Sequence, residues 1–262
     1  MAAPKSEYTP IVGFVLDFET GGRECQRCAV TQIAIHAYRF DTFEKLGSYI
    51  RYVRPYNRKE VKGVKSARKT LKNKYEIAQE VPMEYEEEAL TYSAIRMETL
   101  YDQGEPIEKV AEGALDFIRS VLPENTAKVR NKRSFIIGQN IWFDEGFLCQ
   151  MFEYAGLIKE LAKYVGGYTD FYGNWHPQVL DTIHLAKLAL SHNQQVNSYK
   201  LELICEHLGI ELDDAHDADA DVAATANVAA VLTRRMRSVG GVTDGDEIQM
   251  SKAEKSRPHF KI

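Results

Sequence analysis

Two carboxylates stand in the stretch VLDFET, where the apolar run IVGFVLDF would otherwise continue as a strand core. Asp17 and Glu19 are two residues apart, and side chains two apart in a β-strand point to the same face. Burying an unpaired charge costs several kcal/mol, so two acids on one buried face need a counter-charge. A divalent cation would supply it, although Asp-x-Glu is common and a surface strand end also explains it.

Two further acids each begin an apolar stripe of a predicted helix. The stripe positions are Phe147, Leu148, Met151 and Ala155 after Asp144, and Ala224, Thr225, Val228 and Leu232 after Asp221. A helix N-cap is the alternative role for Asp144. It explains Asp221 less well, because Asp217 and Asp219 stand nearer the predicted helix start. Four carboxylates facing the interior favour Mg²⁺ or Mn²⁺, which prefer oxygen ligands.

His216 stands five residues before Asp221. On one continuous helix the two side chains would point about 140° apart. If the helix begins after His216, the imidazole lies on the preceding loop and reaches the metals. There it could take a proton from a water that attacks phosphorus. An ordinary surface histidine is the alternative.

Composition indicates a soluble globular protein. The chain has 262 residues, 44% hydrophobic and 27% charged, which allows one large domain or two small ones. No apolar run approaches the ~18 residues of a membrane span, and MAAPKSEYTP lacks a signal-peptide core, so we expect a cytoplasmic protein without a membrane partner. The net charge of −5 argues against a protein that coats nucleic acid generically.

The apolar patterns predict an α/β fold. Residues 11–18, 29–40 and 45–55 read as an antiparallel meander of three strands, and 134–140 as another short buried strand. Four helices are expected. The first runs from about Phe143 to Tyr154, and the second follows a brief strand in QVLDTIHLAKLAL. The third lies in SYKLELICEHLGI, with Ser198 as cap and Gly209 as stop, and the fourth runs from 217 to Gly240. We assign 1–240 to one domain and 241–262 to a polar C-terminal tail.

A charged insertion, about 56–88, interrupts this pattern. Ten Lys or Arg lie between Arg51 and Lys74 against one acid, and six glutamates follow in EIAQEVPMEYEEE. The segment is either a solvated insertion whose halves neutralise each other or an arm that contacts phosphates. The candidate phosphate contacts are Arg58, Lys59, Lys62, Lys65, Arg68 and Lys69. No aromatic-rich stacking motif and no 2′-hydroxyl reader is assigned.

Four cysteines are present. Cys25 and Cys28 have metal-knuckle spacing, but no second pair follows at zinc-finger spacing. We expect reduced, unpaired thiols, with a zinc or redox role for this pair as the alternative. Cys149 and Cys205 lie in apolar helical patterns and read as core residues.

Three motifs in chain order resemble those of the DEDDh exonuclease family: Asp17-x-Glu19, Asn140-x-x-Phe143-Asp144, and His216 followed at +5 by Asp221. Within that family the chain looks most like the proofreading (epsilon) subunit of bacterial DNA polymerase III and its stand-alone or phage-encoded relatives. The resemblance spans about 11–235, excepting the insertion. It implies a ribonuclease-H-like five-stranded mixed sheet flanked by helices.

The resemblance also implies a metal-dependent 3′–5′ exonuclease. It would release nucleoside 5′-monophosphates from the 3′ ends of single-stranded nucleic acid, DNA favoured over RNA, in proofreading or repair with a DNA polymerase as candidate partner. Two ions, Mg²⁺ or Mn²⁺, would be held by Asp17, Glu19, Asp144 and Asp221, with His216 as general base. Substrate contacts would come from Phe18, Thr20, Gly21, Asn140 and Phe143, although Phe18 could equally be a core residue.

Two departures from the family pattern bear on substrate preference. Gln139 stands where a histidine commonly precedes the asparagine of the second motif, and Ser93-Ala94-Ile95 replaces a His-Gly-Ile stretch. Three alternatives remain open: an exoribonuclease of the ribonuclease T type, a non-catalytic nucleic-acid-binding polymerase accessory module, and a metal-dependent phosphoesterase of small nucleotides.

Overall fold

A computed structural model describes residues 11–59, 81–124, 126–128, 133–212 and 217–239. His216, residues 60–80 of the charged insertion and the predicted tail at 241–262 therefore lie outside the described residues.

Seven strands lie in the described part of the chain. They are β1 (Val12–Thr20), β2 (Val30–Arg39), β3 (Glu44–Tyr52), β4 (Ile136–Gly138), β5 (Gly167–Thr169), β6 (Trp175–Pro177) and β7 (Val179–Asp181). Five form one sheet in the order β3-β2-β1-β4-β7, and β5 pairs with β6 as a separate hairpin. The first three strands are antiparallel, whereas β4 is parallel to both β1 and β7. The predicted meander and the mixed five-stranded sheet are confirmed.

The described helices cover both faces of the sheet. They are α1 (Glu87–Tyr92), α2 (Met97–Gln103), α3 (Ile107–Val121), α4 (Trp142–Tyr154), α5 (Ile158–Leu161), α6 (Thr182–Leu190), α7 (Leu201–Leu208) and α8 (Ala218–Val239). The predicted bounds of α4 and α8 agree to within a residue or two. Gly209 ends α7 with a φ of +69°, as expected of a left-handed C-cap. The Ser198 cap is wrong: Lys200 holds the N-cap position and no side chain bonds there, because α7 begins two residues later than predicted.

Alternation along β1 divides the core between the two faces of the sheet. Phe14, Leu16 and Phe18 pack into the larger cluster, which α3 and α4 cover. Val15 packs on the opposite face against α8, with Val222. Since Asp17 and Glu19 have the parity of Val15, α8 covers the face that carries them. No helix within the described ranges combines the length and apolar character that a membrane crossing needs.

Candidate active site

Three of the predicted carboxylates converge where β1 meets α8. One oxygen from each of Asp17, Glu19 and Asp221 lies within 4.8 Å of the others. Glu19 is buried, and the other two are half-buried. Strand alternation brings the first two together, and the first turn of α8 adds the third. The fold thus brings residues from opposite ends of the described chain together in one cluster.

Asp144 lies beside this cluster in the first turn of α4. Its side chain is buried, and its Oδ1 accepts a hydrogen bond from the Phe18 backbone N–H at 3.0 Å. Ile141 occupies the N-cap position of α4, so Asp144 reaches across to β1 rather than capping its own helix. The bond fixes this carboxylate against the strand residue that separates Asp17 from Glu19.

The pKa values report how these charges crowd one another. Burial, followed by the negative charges of Asp221 and Asp217, raises the pKa of Asp17 to about 8. Burial and then Asp17 raise the pKa of Glu19 to about 9. Burial and then Asp17 also raise the pKa of Asp144 well above its usual range. Carboxylates that crowd one another in this way are a donor set that suits Mg²⁺ or Mn²⁺, because a bound cation offsets the repulsion.

Two polar side chains on β2 hold the start of α8 to the sheet. Gln32 Nε2 donates to Asp217 Oδ1 at 3.4 Å, and His36 Nε2 contacts the Asp219 carboxylate. Both β2 residues are buried, on a strand that is otherwise almost entirely apolar. With Asp217 and Asp219 in contact with β2, the third aspartate at the start of α8, Asp221, is the one that lies in the carboxylate cluster. Sequence reasoning missed them, although a Gln and a His within an apolar strand were a readable signal.

The other predicted residues of β1 and the turn after it are tightly packed. Phe18 is only 4% exposed and belongs to the larger core cluster, the alternative that strand alternation left open. Thr20 Oγ1 donates to the Gly22 carbonyl at 2.8 Å. A Cβ on Gly21 would lie 2.5 Å from the Glu84 carbonyl oxygen, so only glycine fits there.

The second motif begins in a left-handed turn. Asn140 has a φ of +55°, which asparagine tolerates better than most residues, and its side chain is exposed. Its backbone N–H donates to Asp181 Oδ1 at 3.1 Å, and the same oxygen caps α6 by accepting from the Ile183 N–H. Asp181 is thus a positioning residue that sequence reasoning missed, although an Asp at a strand-to-helix junction is a common cap signal. The half-buried Phe143 packs against Phe147, with ring centroids 5.1 Å apart.

The two departures from the family pattern take defined places. Gln139 Nε2 donates to the Tyr199 carbonyl at 2.8 Å, so it ties the end of β4 to the segment before α7. Ala94 adopts a φ of +55°, the left-handed region that favours glycine. Tyr92, two residues earlier, is 64% exposed. Its pKa is raised by partial burial and then by the negative charges of Glu202 and the three clustered carboxylates.

The described ends of the charged insertion pair with each other. The Arg58 backbone N–H donates a hydrogen bond to the Val81 carbonyl at 2.7 Å, so the two described ends of the insertion lie side by side. Arg58 also forms an ion pair with Glu84, and Lys59 forms one with Glu108. These two candidate phosphate contacts are therefore engaged by carboxylates within the protein. Lys62, Lys65, Arg68 and Lys69 lie outside the described residues.

All four cysteines are described, and each is a free thiol in the structure. Cys28 is buried, and its Sγ lies 3.6 Å from Glu86 Oε1. The second acid near it, Glu84, is already engaged by Arg27 and Arg58. Gln150 Nε2 donates to the backbone carbonyls of Cys25 and Cys28, so this side chain of α4 binds the backbone of the turn that follows β1.

Comparison with known proteins identifies the family and the fold. The family model RNase_T, described as exonuclease, matches residues 72–229, more than half of the chain. This match includes Asp144, His216 and Asp221 and begins after the first motif. No curated protein matches the sequence.

Solved structures of E. coli exonuclease I resemble this chain. The complex with a dT13 oligonucleotide has a TM-score of 0.59 at 20% identity and covers 87% of this chain and 42% of that one. The zinc-bound complex with single-stranded DNA has a TM-score of 0.59 at 19% identity, covering 88% and 42%. The chain thus spans about two fifths of the length of these proteins. The likeness establishes the ribonuclease-H-like exonuclease fold.

Proposed function

This chain belongs to the RNase_T exonuclease family, and from that premise we propose that it is a 3′–5′ exonuclease of single-stranded DNA that releases nucleoside 5′-monophosphates. The observation that carries the proposal is the convergence of Asp17, Glu19 and Asp221 within 4.8 Å, with Asp144 bonded to the strand between the first two. Proofreading and DNA repair, with a DNA polymerase as partner, are the contexts that its resemblances favour.

The four carboxylates would hold two divalent ions, Mg²⁺ or Mn²⁺. The raised pKa values of Asp17, Glu19 and Asp144 mean that these three would lose protons as cations bind. Such ions would supply positive charge that stabilises the attacking and leaving oxygens of an in-line displacement at phosphorus. The Phe18 N–H orients Asp144, and the contacts between β2 and α8 place Asp221. His216 would take the proton of the attacking water, since it stands two positions before the first residue of α8 in the sequence.

Contacts with the terminal nucleotide are proposed for residues that flank the carboxylates in the sequence. Thr20 and Gly21 follow the first motif, and Asn140 and Phe143 precede Asp144. Phe18 is a weaker candidate because its ring lies in the core. Tyr92 joins this set, since its ring is exposed and the charges of the clustered carboxylates act on its hydroxyl.

DNA is preferred to RNA in this proposal because the exonuclease I structures described above hold a dT13 oligonucleotide and single-stranded DNA. An exoribonuclease of the ribonuclease T type is the second candidate. A protein that reads RNA does so through the 2′-hydroxyl, so the two differ in whether that group increases or decreases the rate.

The test is a time course with 5′-labelled DNA and RNA strands of one sequence, with Mg²⁺, with Mn²⁺ and with chelator. We expect a ladder that shortens by single nucleotides only when metal is present, and faster for DNA. His216→Ala should slow it by about 10²–10⁴, the usual contribution of a general base. His192→Ala, at an exposed histidine after α6, is the matched control. A strand that stays full length with either metal would leave a nucleic-acid-binding module as the function.

A further inference from the structure

The hairpin of β5 and β6 carries three exposed aromatic side chains. Phe171 is 97% exposed, Tyr172 is 73% exposed and Tyr168 is 60% exposed. An isolated exposed aromatic is ordinary, whereas three on one short hairpin are unusual, and the rings of Phe171 and Tyr172 contact each other with centroids 5.6 Å apart. We refer to Tyr168, Phe171 and Tyr172 as the aromatic hairpin.

Hydrogen bonds fix the turn that presents these rings. The Asp170 carboxylate accepts from the Tyr172 N–H at 2.9 Å and from the Asn174 N–H at 2.8 Å. The Asp170 N–H in turn donates to the Asn174 carbonyl at 2.9 Å, and Gly173 supplies the φ of +90° that closes the turn. The backbone is therefore ordered in the conformation that directs Phe171 and Tyr172 outward.

The hairpin is attached to the helix that carries Asp144. His176 Nδ1 lies 2.7 Å from Glu145 Oε1, and the Tyr168 ring stacks on the same imidazole at 5.1 Å. Glu145 directly follows Asp144 in the first turn of α4. Trp142, in the same turn, is 59% exposed. Trp142 thus stands two positions before a proposed metal ligand, and the hairpin contacts the residue directly after it.

We propose that the aromatic hairpin and Trp142 form the surface on which bases of the single-stranded substrate stack, upstream of the terminal nucleotide. This inference rests on the proposed function. Bases of a single strand stack on aromatic rings without regard to sequence, which suits an enzyme that advances along any strand. Residues 164–186 contain no Lys or Arg, so this surface offers partners to bases rather than to phosphates.

The test combines a binding arm and a hydrolysis arm. The double variant Phe171→Ala/Tyr172→Ala is compared with Tyr101→Ala, which removes a tyrosine of similar exposure, 60%, from α2. Binding is measured in an Asp17→Asn background with labelled DNA strands of about 3 and about 15 nucleotides. Hydrolysis is measured as the ratio of kcat/KM for the longer strand to that for a dinucleotide.

We expect the double variant to bind the longer strand about tenfold or more weakly, and its kcat/KM ratio to fall by a similar factor. Phe171→Tyr/Tyr172→Phe keeps both rings and should restore both quantities, whereas Tyr101→Ala should change neither. Unchanged affinity for the longer strand, or equal loss on both strand lengths, would overturn the stacking surface. Because the binding arm needs no hydrolysis, a wild-type chain that cuts no strand would overturn the proposed function while this arm still decides the inference.

Discussion

Replacing Asp17 by Asn should stabilise the protein in chelator and abolish its response to metal. Two unit charges 4.8 Å apart repel by about 3.5 kcal/mol at an effective dielectric constant of 20, and Asp17 faces two carboxylates within that distance. The wild-type cluster relieves part of this repulsion by retaining protons, so we expect a net gain of about 1–3 kcal/mol from Asp17→Asn. For a chain of this size that gain corresponds to a Tm about 3–10 °C higher.

The raised pKa values fix the direction of the pH dependence. Unfolded carboxyls titrate near pH 4, whereas those of folded Asp17 and Glu19 titrate at about 8 and about 9. Between these limits the folded state binds more protons than the unfolded chain, so the stability of the metal-free protein falls as pH rises. The fall should be shallower in Asp17→Asn, which lacks one of the titrating groups.

The assay is thermal unfolding from about pH 6 to about pH 9, in chelator and in Mn²⁺. Metal at about 100 times its Kd should stabilise the wild type by about 2.7 kcal/mol, and the variant far less. Asp102→Asn, which removes an exposed carboxylate from α2, should behave as the wild type does. A lower metal-free Tm for Asp17→Asn at pH 8, together with an intact Mn²⁺ response, would show that these acids neither repel one another nor bind metal.

Three further substitutions test other parts of the structure. Ala94→Gly should raise the Tm by about 2–4 °C, because it removes about 1 kcal/mol of backbone strain from the left-handed conformation of Ala94. The control, Ala89→Gly within α1, should lower the Tm. A lower Tm for Ala94→Gly than for Ala89→Gly would refute the strained turn. His36→Leu should shift the Mn²⁺-dependent rise in Tm to higher metal concentrations, because Asp219 loses its contact and the start of α8 loosens. His36→Gln should recover part of the shift. Equal Mn²⁺ titrations for the wild type and both variants would contradict a positioning role for His36. Neutralising four basic residues of the insertion should flatten the salt dependence of single-strand binding by up to about 0.7 in log–log slope per lost phosphate contact; an unchanged slope would favour a solvated insertion. Those four residues are Lys62, Lys65, Arg68 and Lys69.

The parts of the fold that could be predicted are those in which burial leaves a periodic pattern. The meander and helices α4 and α8 follow directly from alternation or from stripes of apolar residues. The hairpin of β5 and β6 could not be predicted in this way, since its three-residue strands are too short to show a period. Its rings are also exposed, so burial left no pattern there. Helix α3 was missed although its buried positions recur at helical spacing from Ile107 to Ile118.

The candidate site could be predicted in its carboxylates but not in its supports. Asp17 and Glu19 are recognisable because they lie two residues apart on a strand, and Asp221 because it begins the apolar stripe of a helix. The structure brings the three together. The contact between His36 and Asp219 spans 183 positions, and no local pattern encodes a partner at that distance. Long-range contacts of this kind are fixed by the packing of α8 on the sheet, which becomes visible only in three dimensions.

The arrangement of the carboxylates along the chain also governs when the proposed metal site can form during synthesis. Asp17 lies on the first strand and Asp221 on the last described helix, 204 positions later. At about 5–20 residues per second, the ribosome needs about 10–40 s between these two residues. A nascent chain therefore carries an incomplete carboxylate set until Asp221 has been synthesised. A product truncated before Asp221 would lack one of the proposed metal ligands.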